Sequence, residues 1–457
     1  MKVNLKNIHS VFFIGIGGIG MSAIARYFYA IGKTVAGYDK TQTVLTSKLE
    51  NEGIKVHFDD NINNIETYFT NKENALIVYT PAISSTNKEL NYFIDNDFTL
   101  VKRAEILGII TNSLESIAVA GTHGKTSIST ITAHLIHNSK IKCSAFLGGI
   151  SKNFNSNLVT SKESEVVVVE ADEFDRSFLQ LYPKIAVISS MDADHLDIYG
   201  NENELKRSFT EFASQIKKDG YLLIKNGLEI ELSNDIKKYT YSVNSKADFM
   251  AENIRYENNR QIFDLITPFG KIENLELGIP GIINIENSVV AIAASLLSGV
   301  SADEIQKSLP NFKGVKRRFD YIINKSNLVY IDDYAHHPEE LRATILSVQK
   351  LYPDKKITGI FQPHLFSRTK DFYIDFAKSL DLLDEIILLD IYPAREKPIK
   401  AVTSKIIFDE IENKNKILCI KENLIEVLSN TKIEILLTLG AGDIDTKVNE
   451  IKQLLEK

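Results

Sequence analysis

The segment Ala120-Gly121-Thr122-His123-Gly124-Lys125-Thr126-Ser127 decides the fold of this 457-residue chain. It follows an apolar run from Ile117 to Val119 that predicts a strand, and it leads into a helical pattern from Ser127 to Asn138. Glycines in such a turn let the backbone wrap around an anion, and N–H groups at the helix start point at phosphate oxygens. Lys125 adds a mobile positive charge, and the hydroxyl of Thr126 is placed to hold Mg²⁺. We therefore predict a phosphate-binding loop that takes a nucleoside triphosphate.

The segment departs from the general G-x-x-x-x-G-K-[ST] pattern, because Val119 stands where the first glycine would be. The alternative is a strand–turn–helix junction that contains Gly-Lys-Thr without binding a nucleotide. The strand pattern before the segment and the helix pattern after it favour the phosphate-binding loop.

Composition describes a globular protein of two to four domains, with 44% hydrophobic and 25% charged residues. The net charge of −7, from 53 basic and 60 acidic residues, gives no electrostatic footprint for nucleic acid. No apolar run approaches the length of a membrane span. Cys143 and Cys419 show no metal-ligand spacing and are expected to be reduced thiols, so we expect a cytoplasmic protein without nucleic-acid or membrane partners.

Strand patterns alternate with helix patterns in three successive blocks, which predicts an α/β fold with parallel sheets. The predicted domains are 1–108, 109–314 and 315–457. The stretch from about 240 to 280 alternates more strongly and predicts antiparallel strands. The predicted strands are Val11–Ile14, Thr34–Tyr38, Ala75–Tyr79, Val166–Glu170, Ala186–Ser189, Tyr221–Ile224, Val329–Asp332, Lys356–Phe361, Glu385–Leu389 and Glu434–Leu439.

A second glycine-rich turn, Gly15-Ile16-Gly17-Gly18-Ile19-Gly20, follows the first strand and opens the predicted helix Met21–Ala30. This G-x-G-x-x-G spacing brings a pyrophosphate close to the backbone at a helix N-terminus. Asp39 ends the next strand, where an acid can bind ribose hydroxyls. NAD and a UDP-sugar both suit this geometry, and the glycines could also serve only helix–strand packing.

Two further strands end in polar side chains beside the predicted phosphate-binding loop. The buried-looking strand Val166–Glu170 ends in a carboxylate, at the place where the metal ion of a nucleotide is expected. The strand Ala186–Ser189 leads into Asp192-Ala193-Asp194-His195. We favour His195 as a metal ligand, and the alternative is a hydrogen-bonded core histidine.

Two amides, Asn284 and Asn287, precede the Ala-rich helical stretch Ser288–Leu297. They are three residues apart and would lie on one face of a helix start. Paired amides offer donors and acceptors that can bind a purine edge, but Asn is also a common helix cap.

The third block gathers arginine and histidine at predicted strand ends. The pair Arg317-Arg318 could deliver a guanidinium to a transferring γ-phosphate, or it could be a solvated basic pair. Asp333-Tyr334-Ala335-His336-His337 and Gln362-Pro363-His364-Leu365-Phe366-Ser367-Arg368 follow two strands, at the ligand-binding edge of an open α/β sheet. The remaining histidines need no function: His9, His57, His134 and His137.

Taken in order, GIGGIGMS, AGTHGKTS, EADEFD, DADHLD, RRF, DDYAHHP, FQPHLFSRT, DIYPAR and GAGDID resemble the Mur ligase family over nearly the whole chain. The family adds amino acids to UDP-muramyl precursors of peptidoglycan. The resemblance implies a Rossmann-like N-terminal domain for the UDP-sugar, a central P-loop ATPase domain with a parallel sheet, and a Rossmann-like C-terminal domain for the amino acid. Within the family, it implies ATP-dependent joining of L-alanine to UDP-N-acetylmuramate through an acyl phosphate.

The resemblance also implies roles for the residues that match the family motifs. Lys125, Arg318, His336 and His364 would be catalytic. The ATP site would comprise Gly121, Thr122, His123, Gly124, Lys125, Thr126, Ser127, Asn284, Asn287, Arg318 and Asp333. Mg²⁺ or Mn²⁺ would be held by Thr126, Glu170 and His195. The UDP-sugar would contact Gly15, Gly17, Gly18, Ile19, Gly20, Met21, Ser22 and Asp39, and the alanine would contact Tyr334, His336, His364 and Arg368.

The chain departs from common family patterns in three places. Ile283 stands where many members have His before the adenine Asn, and Leu365 stands where many have Arg. No lysine stands at the place around Ser208-Phe209 that matches the carbamylated lysine of sister ligases, so that modification is not predicted. A D-N-P-R motif for diaminopimelate is also absent, which is consistent with a small amino acid.

Three other functions remain as alternatives. A ligase that adds a tripeptide to the same sugar nucleotide would carry much the same motifs. An NAD-dependent oxidoreductase would explain only the first glycine turn. A non-catalytic nucleotide-gated binding protein would have the same loops, and phosphate release that depends on both substrates would exclude it. The small-molecule partners expected are UDP-N-acetylmuramate, L-alanine and ATP, and the expected state is a monomer or a homodimer.

Overall fold

The computed structural model describes residues 5–112, 114–161, 164–192, 196–232, 235–243, 245–257, 260–394 and 396–456. It is an α/β protein with three separate sheets, numbered here through one series of strands. The strands are β1 Ser10–Ile14, β2 Thr34–Tyr38, β3 Lys55–His57, β4 Ala75–Tyr79, β5 Thr99–Lys102, β6 Glu115–Ala120, β7 Ser144–Ser151, β8 Ser156–Val159, β9 Val166–Glu170, β10 Ile185–Ile188, β11 Tyr221–Lys225, β12 Lys237–Ser242, β13 Phe249–Glu257, β14 Arg260–Thr267, β15 Gly270–Leu277, β16 Asp320–Lys325, β17 Leu328–Asp333, β18 Ile357–Phe361, β19 Glu385–Leu389, β20 Lys416–Cys419 and β21 Ile435–Leu439.

Helices alternate with these strands, as expected for parallel sheets whose crossovers must return along a sheet face. The helices are α1 Ile19–Ala30, α2 Val44–Asn51, α3 Lys88–Asp95, α4 Arg103–Asn112, α5 Lys125–His137, α6 Leu196–Tyr199, α7 Glu202–Ser214, α8 Ile282–Leu297, α9 Ala302–Ser308, α10 Pro338–Leu351, α11 Phe366–Leu380, α12 Lys405–Glu410, α13 Leu424–Ser429 and α14 Val448–Leu455. Short 3₁₀ helices lie at Ile62–Asn64, Thr67–Phe69, Phe174–Gln180, Leu309–Asn311, Lys421–Asn423 and Asp443–Lys447.

The first sheet has the strand order β3-β2-β1-β4-β5, and all of its pairings are parallel. Every residue of the central strand β1 is buried, because helices cover both faces of such a sheet. The chain reverses its direction of growth at β1, with β2 on one side and β4 on the other. The glycine turn at Gly15 therefore lies at the switch point where such folds bind ligands.

The second sheet has the order β15-β14-β13-β12-β11-β10-β6-β9-β7-β8. Its centre is parallel, with β6 between β10 and β9. The strands β13, β14 and β15 form an antiparallel extension, which confirms the antiparallel pattern predicted between about 240 and 280. The carboxyl ends of β6, β9 and β10 meet at one edge, where polar residues follow each strand.

The third sheet has the order β16-β17-β21-β18-β19-β20. The pairings from β17 to β20 are parallel, and only the edge strand β16 runs antiparallel to its neighbour. The residues that follow β17 and β18 include the two histidine clusters of the sequence. Their strands are separated only by β21, so both clusters lie at the same sheet edge.

Residues 1–278 with 286–313 form one compact unit, and residues 279–285 with 314–457 form a second. The first unit contains two of the sheets and the second contains the third. The three-domain α/β class expected from the sequence is therefore confirmed. The boundaries at 108 and 314 stay predictions.

Helix α8 is the largest departure from the predicted elements. The sequence predicts a helix from Ser288, whereas α8 begins at Ile282 and includes both Asn284 and Asn287. The prediction placed the start at the Ala-rich run because polar residues usually precede a helix. Here the side chain of Asn284 donates to the carbonyl of Pro280, four residues earlier, so the amide is satisfied within the first turn.

Both cysteines are free thiols, with Cys143 buried and Cys419 half-buried on β20. Among the helices in the described ranges, none combines the length and the apolar character needed to cross a bilayer.

Candidate active site

The phosphate-binding loop connects β6 to α5, as the sequence predicts. Gly121 has a φ of 133° and Gly124 has a φ of 82°, both in the region that favours glycine. A Cβ on Gly121 would also collide with the hydroxyl of Ser189, so this position has no room for a side chain. Gly124 is the N-cap of α5, and Lys125 is its first residue. The N–H groups of the first turn of α5 are therefore available to an anion.

Lys125 forms an ion pair that the sequence did not predict. Its Nζ donates to the carbonyl of Gly121 at 2.7 Å and to Oε1 of Glu173 at 2.8 Å, and Oε2 of Glu173 is also 2.8 Å away. Burial opposes the charge of Lys125, but Glu173, Asp172 and Glu170 outweigh it and raise the lysine pKa above its usual range. Lys125 therefore remains positively charged inside a cluster of carboxylates.

Ser190 and Asp192 hold the outer half of the loop from the end of β10. The hydroxyl of Ser190 accepts from the N–H of His123 at 2.7 Å and from the hydroxyl of Thr122 at 2.9 Å. The carboxylate of Asp192 lies 3.4 Å from Nε2 of His123. Ser190 had no role in the sequence analysis, although its place after a central parallel strand was a usable signal.

Glu170 ends β9, which pairs directly with β6, so its carboxylate lies at the same edge as the loop. Its Oε2 accepts from the N–H of Gly148 at 3.1 Å, and a Cβ on Gly148 would collide with the carboxylate. Thr126 is buried in the first turn of α5. A carboxylate and a hydroxyl are oxygen donors of the kind that Mg²⁺ prefers, so these residues fit such an ion.

The third predicted metal ligand, His195, lies outside the described residues. Among the residues that the structure does describe, no group of three or more His, Cys, Asp or Glu side chains is arranged to hold a metal ion.

The glycine turn of the first sheet is held by Asp39. The N–H of Gly17 donates to Oδ2 of Asp39 at 2.7 Å, and the N–H of Thr41 donates to Oδ1 at 3.1 Å. The sequence assigned Asp39 to ribose hydroxyls, and the structure shows that this carboxylate also shapes the turn. Gly15 has a φ of 88°, and Gly18 is the N-cap of α1, where Ile19 and Gly20 begin the helix.

Met21 and Ser22, which the sequence placed in the UDP-sugar site, have buried side chains. The hydroxyl of Ser22 donates to the carbonyl of Ile19 and accepts from the amide of Asn157. The N–H of Ser22 also donates to the carbonyl of Gly18 at 2.8 Å, so both donors of this residue are used within the protein. Arg103 is a partly exposed neighbour of the turn. Its guanidinium lies beside Gly20 and donates to Asp172 at 3.1 Å.

His57 is paired with Glu89, although the sequence analysis gave this histidine no function. Its Nε2 lies 2.7 Å from Oε1 of Glu89, whose side chain is fully buried in the first turn of α3. His57 ends β3, two strands from β1, at the ligand-binding edge of the first sheet. A signal for this pair was missed, since a histidine that ends a parallel strand lies at that edge.

The two predicted adenine amides lie in different compact units and are described separately. In the first unit, Asn287 is buried, and a Cβ on Gly124 would lie 3.0 Å from its Oδ1. Asn287 therefore borders the phosphate-binding loop. In the second unit, Asn284 is buried in the first turn of α8. Its Nδ2 donates to Pro280 at 2.7 Å.

Four predicted residues of the third sheet form one connected row. The guanidinium of Arg318 lies 4.8 Å from the ring centre of Tyr334, whose ring contacts His336 edge-on at 5.2 Å. The rings of His336 and His364 lie 6.2 Å apart, and His364 stacks on Tyr392 at 5.9 Å. The structure therefore brings Arg318, expected at the γ-phosphate, together with the tyrosine and the two histidines expected at the amino-acid site.

Glu340 holds His336 from the first turn of α10. Nδ1 of His336 lies 3.2 Å from Oε2 of Glu340, and the N–H of His336 donates to the same oxygen at 3.0 Å. Nδ1 also lies 3.0 Å from the carbonyl oxygen of Tyr334. Contacts within its own segment therefore set the orientation of this imidazole. Such an arrangement suits a histidine that must present Nε2 to a substrate.

Asp333 is buried beneath this row and accepts from the N–H groups of Phe319 at 2.7 Å and Ala335 at 2.8 Å. Burial raises its pKa to about 6, against the opposing charge of Arg318. The sequence placed Asp333 in the ATP site. The structure gives it a second task, because it fixes the backbone on both sides of the strand end.

Arg317 and Arg318 do not form a fork on one ligand. Arg317 donates to the carbonyls of Gly440 and Gly442, and its guanidinium lies 3.7 Å from Asp332 and 3.3 Å from Asp445. The guanidinium of Arg317 also lies 4.9 Å from the ring centre of Tyr334, so the two arginines share this aromatic partner, and Arg317 is in addition bonded to the sheet edge.

Leu365 and Arg368 lie where α11 begins. Leu365 has a φ of 70°, which is rare for a leucine, and its N–H donates to Tyr392 at 3.0 Å. Arg368 is buried in the first turn of α11. The carboxylate of Glu396 accepts from the N–H of Ser367 at 3.0 Å. Burial raises the pKa of Glu396, but hydrogen bonds from the hydroxyl and the N–H of Ser367 hold it below its usual value. The strained backbone keeps His364 and the start of α11 in a fixed relation.

Three family models match the chain in succession. Residues 10–114 match "Mur ligase family, catalytic domain", residues 119–295 match "Mur ligase middle domain", and residues 317–442 match "Mur ligase, glutamate ligase domain".

Among curated proteins, the UDP-N-acetylmuramate–L-alanine ligase of Phocaeicola vulgatus is 50% identical over 458 residues, covering 100% of both chains. The protein of the same name from Flavobacterium psychrophilum is 51% identical, again over 100% of both chains.

The solved UDP-N-acetylmuramate–alanine ligase of Thermotoga maritima is 26% identical and has a TM-score of 0.82, covering 98% of this chain and 99% of its own. A murein peptide ligase from Psychrobacter arcticus shares the fold at 21% identity, with a TM-score of 0.69 and 98% of each chain covered. The identity to full-length relatives and the three successive domain matches show that the chain belongs to the Mur ligase family.

Proposed function

We propose that this protein joins L-alanine to the carboxylate of UDP-N-acetylmuramate, with ATP converted to ADP and phosphate. The observation that carries the proposal is a complete phosphate-binding loop in a chain that is half identical, end to end, to proteins with that activity in their name. The reaction makes an amide, so the protein is an acid–amino-acid ligase of peptidoglycan precursor synthesis. The tripeptide alternative is less favoured, because its structural relative is similar only at the level of the fold.

Activation of the acid is the first chemical step that the site must support. A carboxylate is a poor electrophile, since its charge repels a nucleophile. Attack of a carboxylate oxygen on the γ-phosphorus of ATP gives an acyl phosphate and releases ADP. Lys125 would offset the negative charge that builds on the phosphoryl oxygens, and membership of the family assigns Arg318 to the γ-phosphate. The backbone N–H groups at the start of α5 bind the phosphate chain.

The donor set at the carboxyl ends of β6 and β9 suits Mg²⁺ or Mn²⁺. Thr126 and Glu170 would hold the ion, with His195 as the third protein ligand. Such an ion would neutralise negative charge on the phosphate chain. Gly148 keeps the Glu170 carboxylate in place through its N–H, so the ligand is oriented before the ion arrives.

Amide formation is the second step. The amine of alanine must be neutral to attack the acyl carbon, and the tetrahedral intermediate then expels phosphate. His336 is a candidate base because Glu340 fixes its orientation, and His364 lies one ring away. Tyr334 and Arg368 complete the proposed alanine site.

The glycine turn of the first sheet is proposed to bind the UDP-sugar. The glycines of this turn let a ligand approach the backbone at the start of α1, and Asp39, which accepts from the N–H of Gly17, keeps the turn in shape. The adenine of ATP would contact Asn284 and Asn287. We propose a cytoplasmic protein that acts as a monomer or homodimer on small molecules, with domains at 1–108, 109–314 and 315–457.

Phosphate release from ATP tests the proposal directly. The full chain is incubated with Mg²⁺ and UDP-N-acetylmuramate, and L-alanine, glycine, L-serine or the tripeptide L-Ala-γ-D-Glu-meso-diaminopimelate is added in turn. We expect phosphate release that depends on both the sugar nucleotide and L-alanine, with a new amide product by mass spectrometry. A stronger response to the tripeptide would favour the recycling ligase, and an absorbance change with NADH but no phosphate would favour an oxidoreductase.

A further inference from the structure

The ion pair between Lys125 and Glu173 raises a question that the proposed reaction leaves open. Lys125 has three N–H donors, and its Nζ lies within 2.8 Å of Gly121 O and of both oxygens of Glu173. The side chain of Glu173 is 1% exposed, so water cannot share the charge. A phosphate group that arrives in the loop therefore meets a lysine that is already bonded to a carbonyl and paired with a buried carboxylate.

The backbone of Glu173 is held in place, and its side chain is shorter than that of Lys125. Its carbonyl accepts from the hydroxyl of Tyr199 at 2.6 Å and from the N–H of Arg176 at 2.9 Å, at the start of the 3₁₀ helix Phe174–Gln180. Lys125 has a flexible four-carbon stem that begins at the first residue of α5. An exchange between the two contacts is thus a movement of the lysine, with the carboxylate left in place.

We infer that Glu173 is the internal counter-ion that the phosphate chain of a nucleotide displaces from Lys125, so that this carboxylate sets the affinity for nucleoside di- and triphosphates. The inference rests on the proposed function, because it takes the loop to be a nucleotide site. Glu173 positions Lys125 in the nucleotide-free loop and touches neither substrate. Its carboxylate opposes binding, since the lysine must leave one anion to reach another.

Glu173→Gln separates this role from a purely structural one. Glutamine keeps the shape and one oxygen acceptor for Lys125 but removes the charge. Calorimetry on the full chain at fixed Mg²⁺ is expected to show ADP binding about tenfold tighter in the variant than in the natural protein. AMP lacks the β-phosphate that a loop lysine reaches, so its affinity is expected to change less than twofold.

Asp172→Asn is the matched control. It removes one negative charge next to Glu173, but the Asp172 carboxylate is bonded to Arg103 and not to Lys125. We expect its effect on ADP affinity to be several-fold smaller than that of Glu173→Gln. Equal tightening by both variants would mean that general charge, and not the exchange at Lys125, sets the affinity, and would overturn the inference.

A structure of the unaltered protein with ADP gives a second test that does not depend on the folding of a variant. The inference requires Nζ of Lys125 to contact a phosphate oxygen and to leave at least one oxygen of Glu173. Retention of both 2.8 Å contacts, or ADP affinity that is unchanged or weaker in Glu173→Gln, would overturn the inference while leaving the ligase proposal intact. Failure of the natural protein to bind any adenine nucleotide would overturn both.

Discussion

The N–H of Gly17 donates a 2.7 Å hydrogen bond to Oδ2 of Asp39, so the carboxylate at the end of β2 sets the shape of the turn that follows β1. A Cβ on Gly17 would lie 2.8 Å from the same oxygen, which leaves no room for another residue. The acid of a glycine-turn motif is usually assigned to the ligand. Here it first stabilises the backbone that would bind the ligand.

Asp39→Ala is expected to weaken binding of UDP-N-acetylmuramate by about tenfold or more, because a hydrogen bond to a charged group contributes ~1.5–3 kcal/mol. Binding of ADP at the phosphate-binding loop should change little. Isothermal calorimetry on the full chain measures both. Asp59→Ala is the matched control, since Asp59 is an exposed acid of the same domain. An unchanged affinity for the sugar nucleotide in Asp39→Ala would contradict the role of this contact.

The ligand of the first sheet can be tested on the natural protein. We expect UDP-N-acetylmuramate to bind and NAD to show no comparable binding by calorimetry. The glycine turn permits either ligand, and the prediction follows from the family to which the chain belongs. Tighter binding of NAD than of the UDP-sugar would reject the assignment of this domain.

Lys125→Ala is expected to lower turnover by about 10²–10³, the usual cost of losing one electrostatic contact to a transition state. It also leaves Glu173 buried without its cation, which costs about 3–5 kcal/mol of folding free energy. Thermal unfolding should therefore show a destabilised single variant, and Lys125→Ala/Glu173→Gln should recover part of the loss without recovering activity. Near-normal phosphate release in a folded Lys125→Ala protein would refute the catalytic assignment.

The strands of the parallel sheets could be predicted because burial on both faces demands continuous apolar runs. Thr34–Tyr38, Ala75–Tyr79, Val166–Glu170 and Glu385–Leu389 have the predicted bounds. The position of the residues that follow those strands could also be predicted, because the topology of a parallel sheet brings them to one edge. The start of α8 was not, because it depends on the amide of Asn284 reaching back to Pro280.

Contacts within the candidate site were less predictable than its members. Glu173 lies inside a motif that the sequence singled out, but its pairing with Lys125, 48 residues away, depends on how the 3₁₀ helix after β9 turns the chain. Arg317 and Arg318 looked equivalent in sequence. In the structure both guanidinium groups lie over the ring of Tyr334, but only that of Arg317 also contacts Asp332 and Asp445 among the described ion pairs.

The buried Asp332 predicts a pH dependence of stability. Burial raises its pKa to about 6 from the ordinary 3.8, against the hydroxyl of Thr438 and the charge of Arg317. The folded state holds this proton more tightly than the unfolded state, so stability is fully present below pH 3.8 and falls as the pH rises to about 6. One pKa unit corresponds to about 1.4 kcal/mol, so the loss is about 3 kcal/mol.

Asp332→Asn is neutral at every pH and should remove this slope. Urea titrations between pH 4 and 7, which cover most of this transition, are expected to show the variant losing about 2 kcal/mol less than the natural protein. Asp354→Asn, at an exposed aspartate, is the control and should keep the natural slope. Parallel curves for Asp332→Asn and the natural protein would show that the buried carboxyl does not titrate in this window.

The proposed metal site gives the last prediction. Glu170 ends β9 beside the phosphate-binding loop, and the sequence adds His195 as its partner. We expect Glu170→Ala and His195→Ala to raise the Mg²⁺ concentration needed for half-maximal turnover and to lower turnover far more than they weaken UDP-sugar binding. Because both side chains would serve one ion, the double variant should be little worse than the poorer single variant. Activity should also fall on acidification through the titration of a metal-binding imidazole, which must be neutral to bind. Fully additive losses, or an unchanged Mg²⁺ requirement in both single variants, would mean that these residues are structural.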